Sequence, residues 1–308
     1  MNKLLCTLLV LTTLAGCATD DPSQQAVTAR ARRAQLVRGT FGTYDNEPRL
    51  ANRRVDAKQL ISELVEQRAN TYNWLVWHST NDWDDLKVFL PLARKHHMKV
   101  WVTLVPPSEA PPLYGDLSSE PYRLDFERWA VEIARVSRKE PALVAWSIDD
   151  FSSNLGFFTP AKLKTVLDRL RRENPKIAFV PCWYYPSAVP ATVEKYRDLL
   201  DGVLFPFLSE STQMNLDNPA QVEPEVKKMK MVFGPSVPVI MDVYANPYSS
   251  LPNGSQPPYV EATMKRGRQF ADGVLVYCHQ HKETSPVKYD IISRLFHEWS
   301  AEAPKTSN

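Results

Sequence analysis

The run Ala142-Leu143-Val144-Ala145-Trp146-Ser147-Ile148 stops on two adjacent acids, Asp149 and Asp150. A short, nearly continuous apolar run that carries Val144, Trp146 and Ile148 reads as a strand covered on both faces. A strand that ends on paired carboxyls delivers two ionisable groups to the mouth of a sheet or barrel. One can stay charged while the other keeps a proton, which is the minimum equipment for general acid chemistry on a glycosidic bond.

Similar apolar runs recur on both sides of this one, each followed by a helical pattern. The strand expectations are Leu36–Phe41, Tyr72–Trp77, Val100–Val105, Leu143–Ile148, Ile177–Trp183, Gly202–Phe207, Val239–Tyr244 and Gly273–Cys278. The helices that follow are expected at Val55–Ala69, Asp84–His97, Arg123–Ser137, Pro160–Arg172, near Ala191–Leu200, Ala220–Met231, Val260–Phe270 and Val287–Trp299. Strands alternating with helices imply a parallel sheet, and eight such units favour closure into a single-domain (β/α)8 barrel over residues 35–300. An open doubly wound sheet is the rival, but no Gly-rich dinucleotide loop follows the first strand. Thr159-Pro160 is a helix start with Thr at the N-cap, and Asp201-Gly202 and Asp272-Gly273 read as tight entries into strands six and eight.

The first 16 residues read as a processing signal: Lys3, then an apolar stretch too short to span a bilayer, ending in Leu14-Ala15-Gly16-Cys17. Small residues before a cysteine resemble a bacterial lipobox, which implies lipidation at Cys17 and a place in the cell envelope; with Ala18 next, the outer membrane in a Gram-negative host. An ordinary cleaved signal is the alternative. Residues 17–34 are polar, lack apolar periodicity and read as a tether; Arg30, Arg32 and Arg33 there suit solvent or anionic headgroups. Residues 301–308 read as a polar tail. The formal charge of +2 gives no basic face for nucleic acid. Cys182 and Cys278 read as buried thiols, with a disulfide between them left open. No Cys or His spacing suggests zinc, and adjacent His96-His97 lacks ligand spacing, so no metal or cofactor is expected.

A barrel gathers its strand ends on one face. These are Gly42–Asp45, Trp77 and His78, Asp149 and Asp150, Trp183 and Tyr184, Phe205 and Phe207, Asp242, Tyr244 and Asn246, and Tyr277, His279 and Gln280. Aromatic faces stack on sugar rings while polar groups fix hydroxyls, so this set is expected to bind carbohydrate. Trp77 equally fits a core cap, His78 and His279 fit structural histidines, and Asp242 fits a backbone-bonded acid. Adjacent residues on an extended chain point opposite ways, so Asp149 and Asp150 are expected to reach a substrate differently, and their mutual repulsion raises one pKa.

Several segments resemble glycoside hydrolase family 84, the O-GlcNAcase or hyaluronidase-like barrels. They are Asn70-Thr71-Tyr72, Leu86–Arg94, Lys99–Pro106, Ser147–Phe151, Phe179–Tyr184 and Pro238–Asp242 with Ala245-Asn246. The resemblance implies a substrate-assisted N-acetylhexosaminidase in which the substrate acetamido oxygen attacks the anomeric carbon. Asp149 would orient the acetamido group, Asp150 would protonate the leaving oxygen, and Tyr184 would help to hold the acetamido. The chain departs from the family pattern at Arg38–Thr43, which lacks an acid, at Trp77-His78-Ser79, which lacks a basic residue, and at Val243 and Pro247. The alternative is a non-catalytic carbohydrate-binding lipoprotein on a glycosidase-like barrel.

Overall fold

The computed structural model describes residues 22–207, 218–246 and 255–302. Eight parallel strands form one sheet: β1 (Thr40–Tyr44), β2 (Thr71–Val76), β3 (Lys99–Leu104), β4 (Leu143–Ile148), β5 (Ala178–Phe179), β6 (Val203–Pro206), β7 (Val239–Tyr244) and β8 (Gly273–Tyr277). Their order is β5-β4-β3-β2-β1-β8-β7-β6. The seam between β5 and β6 closes where Cys182 pairs in parallel with Leu204. There the Trp183 amide donates to the Leu204 carbonyl at 2.8 Å, and the Leu204 amide donates to Pro181 at 3.0 Å. The chain is therefore a (β/α)8 barrel, and the open-sheet rival is excluded.

Side-chain alternation splits the strands between two cores. Leu75, Trp101, Ala145, Ala178, Val180, Leu204, Ile240 and Leu275 fill the barrel interior. The opposite faces put Trp74, Val102, Trp146, Phe179, Phe205 and Val274 into an outer layer beneath the helices. Those helices include α2 (Ala57–Glu66), α3 (Asp82–Lys95), α4 (Phe126–Lys139), α5 (Pro160–Glu173), α7 (Val222–Phe233), α8 (Pro257–Phe270) and α9 (Pro286–Glu302). The expected cap at Thr159 forms, its hydroxyl accepting from the Lys162 amide at 3.4 Å; Asp56 and Asp125 cap α2 and α4 in the same way. The helix expected near Ala191–Leu200 is only a short α6 (Pro190–Val193) and a 3-10 turn at Arg197–Leu199. Strand five shrinks to two residues because Pro181 has no N–H to give a ladder.

Asn70, Asp201 and Asp272 each precede a strand and tie the start of its neighbour. Asn70 Oδ1 accepts from the Phe41 amide at 2.9 Å, Asp201 Oδ2 from Phe179 at 3.0 Å and Asp272 Oδ2 from Val239 at 3.0 Å. The β1–β2 approach is so close that a Cβ on Gly42 would lie 1.7 Å from the Thr71 carbonyl oxygen, so only glycine fits. Cys182 and Cys278 are free thiols, which closes the disulfide alternative.

The tether expectation fails from residue 22 onward. Pro22–Val37 is a helix, α1, packed across the strand starts at the bottom of the barrel. The segment is rich in Ala, Gln and Arg, good helix formers without an apolar stripe, so periodicity misses it. Polar contacts hold it: Arg33 Nε donates to Asp201 Oδ1 at 2.9 Å, Arg30 bonds the carbonyls of Arg197 and Leu200, and Lys99 Nζ donates to the Leu36 carbonyl at 2.7 Å. Arg30 and Arg33 are thus spent inside the molecule, and only Arg32 of that cluster is exposed. Cys17 and the leader lie outside the described residues, as does the tail beyond Glu302. No helix among the described residues is long and apolar enough to cross a membrane.

The Arg33–Asp201 pair is almost fully buried. Arg33→Ala leaves Asp201 charged without its closest cation and should cost about 3 kcal/mol in urea unfolding. Adding Asp201→Asn to Arg33→Ala should recover part of that loss, because the stranded charge is gone.

Candidate active site

Asp149 sits at the end of β4, its amide donating to the Leu104 carbonyl at 2.9 Å. Its Oδ2 accepts from the Tyr44 hydroxyl at 2.6 Å and its Oδ1 from the Asp150 amide at 3.0 Å. Asp150 leaves the strand in the left-handed region, with φ 44° and ψ 25°. That conformation costs a non-glycine residue on the order of 1 kcal/mol, and here it has a visible consequence. It breaks the alternation expected of an extended pair and brings both acids to one side. Carboxylate oxygens of Asp149 and Asp150 and the Cys182 sulfur lie within 4.8 Å of one another. The turn is held by Asn154, whose Nδ2 donates to the Asp150 carbonyl at 2.9 Å and to Ser108 Oγ at 2.8 Å. Tyr184, just past β5, donates its hydroxyl to Asp150 Oδ1, and its amide is anchored on Ser152 Oγ at 2.9 Å.

Both acids are half-buried. Burial first, and then the Asp150 charge, push Asp149 up to about 7, against the Tyr44 hydrogen bond that lowers it. Burial also raises Asp150, and the Tyr184 hydroxyl opposes the rise. The pair therefore keeps one proton near neutral pH. Two further carboxyls crowd it. Asp242 on β7 is 2% exposed, with no partner for Oδ1 among the described residues; burial and the Asp149 charge raise it well above the usual carboxylate range. Glu109, in a 3-10 turn after β3, has a buried Oε2 with no partner among the described residues; burial and then the charges of Asp149 and Asp150 push it up to about 9. No Lys or Arg among the described residues pairs with any of these four acids. The sequence of residues 208–217 and 247–254, outside the described ones, contains no Lys or Arg either.

The other expected residues divide. Tyr277 stacks between Tyr44 and Tyr244, with ring centroids 5.2 and 4.9 Å apart, and forms an aromatic wall beside the acids. Trp77 and His78 lie at the rim. Trp77 stands 5.7 Å from the Tyr114 ring, and His78 Nε2 bonds Asp45 Oδ1 at 2.7 Å. Burial alone would lower His78, but the Asp45 contact outweighs it and raises the imidazole. Asn246 is half-buried and accepts from Gln280 at 2.7 Å. Asp242 belongs to the floor beneath the pair rather than to an open wall.

Trp183 is a correction. Its ring is fully buried in the outer layer, against Phe151, Tyr196 and Phe233, where no ligand at the strand ends can touch it. Alternation gives the reason: Ala178, Val180 and Cys182 face inward, so Trp183 faces out. His279 is a second. It is fully buried and bonded to Glu63 and Thr43 behind β8, away from the acid pair. Sequence reasoning placed Tyr44 near the end of strand one without giving it a role, and it passed over Glu109. Counting alternation from Gly42 would have placed Tyr44 inward; Glu109, in a Pro-rich loop, carries no periodic signal.

The Asp149, Asp150 and Cys182 donors make a poor metal set. Tyrosine hydroxyls and an amide already occupy the carboxylates, and burial with the nearby acids pushes the Cys182 thiol up, so it stays protonated.

No known family profile and no curated protein matches the chain. Solved structures do match in fold. A β-glucuronidase from an uncultured Clostridium sp. is 12% identical, with TM-score 0.55 over 84% of this chain and 50% of its own, so this chain spans about half that enzyme's length. A GH5_18 protein from Streptomyces cattleya, solved in complex with GlcNAc, is 11% identical with TM-score 0.60, over 81% of this chain and 76% of its own. An endoglucanase from Pseudomonas stutzeri is 11% identical with TM-score 0.55, over 83% and 93%. At these identities the likeness is one of fold alone: this chain shares the (β/α)8 barrel architecture of these proteins.

Proposed function

We propose that this barrel is a glycoside hydrolase acting on a neutral or N-acetylated sugar, with Asp150 as general acid and base and Asp149 as its charged or polarising partner. One observation carries the reading. The end of β4 turns two half-buried carboxyls to the same side, each holding a tyrosine hydroxyl, and the pair retains one proton near neutral pH. Such a pair can protonate a leaving glycosidic oxygen and later take a proton from water.

The oxygens are closer than the ~6.5–9.5 Å by which an inverting pair makes room for water. That spacing supports a mechanism in which the substrate's own acetamido group attacks and Asp149 orients it. Tyr184 is near enough to share that contact. Four acids with no paired cation disfavour a uronate, whose carboxylate would meet like charge. The S. cattleya protein, alike in fold, was solved in complex with GlcNAc, which supports a sugar ligand for this barrel. The lipobox-like Leu14-Ala15-Gly16-Cys17 supports a lipid anchor at Cys17 and a glycan of the cell envelope as target.

Aryl N-acetylhexosaminides, neutral aryl glycosides and aryl glucuronides offered to the purified protein test this. Turnover is expected on the first two classes. Asp150→Asn should lose at least about 100-fold, and less on substrates with acidic leaving groups, which need no proton. Turnover untouched by Asp150→Asn, or sugar binding without any turnover, rejects the proposal.

The pH dependence follows from the direction of the shifts. kcat/KM should fall as pH rises through about 7, where the shared proton is lost. Tyr184→Phe removes a bond that lowers Asp150, so the alkaline limb should move to higher pH. Stability has the matching sign. A carboxyl raised in the folded state binds its proton more tightly there than in the unfolded chain, so stability declines as pH climbs from about 4 through 7. Asp149→Asn should therefore raise Tm more at pH 8 than at pH 5.

A further inference from the structure

Behind β8, on the side away from the acid pair, three donors from distant parts of the chain converge. Glu63 comes from α2, and His279 and His281 from the segment that leaves β8. His279 Nε2 and His281 Nδ1 each lie 2.9 Å from the same Glu63 oxygen, Oε2. All three donor atoms are within 4.8 Å of one another.

We infer that Glu63, His279 and His281 form a binding site for a divalent zinc-class ion that ties the ends of β1 and β8 to α2. Two imidazoles and a carboxylate are a borderline-soft donor set suited to such an ion. Metal–ligand bonds of about 2.0–2.1 Å put neighbouring donors about 3 Å apart when they subtend roughly a right angle at the metal. The supporting shell is also in place. Gln59 Nε2 holds the other carboxylate oxygen of Glu63 at 3.0 Å, and Thr43 Oγ1 sits 3.0 Å from the far nitrogen of His279. With the ion on Nε2, that far nitrogen carries the proton and donates to Thr43, as ligand imidazoles do to their outer partners. His279 is fully buried, but the His281 side chain is 16% exposed and leaves a way in. The His279 amide also donates to the Tyr44 carbonyl at 3.0 Å, so the ion would steady the strand that presents Tyr44 to Asp149.

The test uses the full chain, stripped with chelator and titrated with zinc chloride. The expected result is one equivalent of zinc by elemental analysis and a Tm raised by about 5 °C or more at a hundredfold excess over Kd. His281→Ala, a change at the rim that leaves the core intact, should abolish the shift, and Glu63→Gln should weaken it. Cobalt substitution gives a readout that does not depend on a variant folding: weak d–d bands without an intense sulfur charge-transfer band are expected. A folded, stripped protein that binds no zinc and gains no Tm overturns the inference and leaves a hydrogen-bonded triad only. Zinc retained by both variants, or a sulfur band that places the ion on Cys182, overturns it equally. None of these readouts involves glycoside turnover, so this site and the proposed activity fail separately.

Discussion

The ring is weakest at the seam between β5 and β6, and the site depends on that seam. Pro181 cannot donate, so the strand before it pairs over only two residues. Leu204 then bridges the gap with both of its backbone groups, one to Pro181 and one to Trp183. Trp183 locks the junction by filling the outer layer against Phe151 and Phe233. With that junction fixed, the next residue, Tyr184, is carried over the barrel mouth to Asp150. The aromatic anchor, Trp183, and the tyrosine that bonds Asp150 are thus consecutive residues on opposite faces of one strand end.

The electrostatics of the mouth run against stability. Asp149, Asp150, Asp242 and Glu109 crowd a partly buried space without a paired cation, and burial raises all four. Elsewhere the same chain compensates its buried acids. Asp201 has Arg33, Asp82 and Glu47 have Arg49, and Asp85 has Arg54. A left-handed backbone at Asp150 adds a second local cost at the same place. Strain and uncompensated charge thus gather at one strand end over a well-packed barrel, which supports the proposed active site.

The alternation of apolar runs with helical patterns was enough to place seven of the eight strands; the first was set too early, at Leu36–Phe41, where Leu36 and Val37 close α1 and β1 is Thr40–Tyr44. It worked because each strand is covered on both faces and each helix is amphipathic, and both leave a period in the chain. Asp149 and Asp150 were legible for the same reason, as a polar stop to an apolar run. α1 was not, since guanidinium-to-carbonyl bonds replace the apolar stripe that periodicity detects. Strand ends were named without counting which face each residue takes, and that is why Trp183 was given a site role and Tyr44 was not.

By itself, then, the sequence determined the eightfold repeat, the face on which strand ends meet and the identity of the acid pair. Only the tertiary structure decided that the two acids point the same way, because a single left-handed residue overrides strand alternation. It alone set the hydrogen bonds of Tyr44 and Tyr184 to the acids and brought Glu109 beside them, and it alone joined Glu63 to His279 and His281 across more than two hundred residues. Those relations depend on barrel closure and helix packing, which set distances between residues that no local pattern connects.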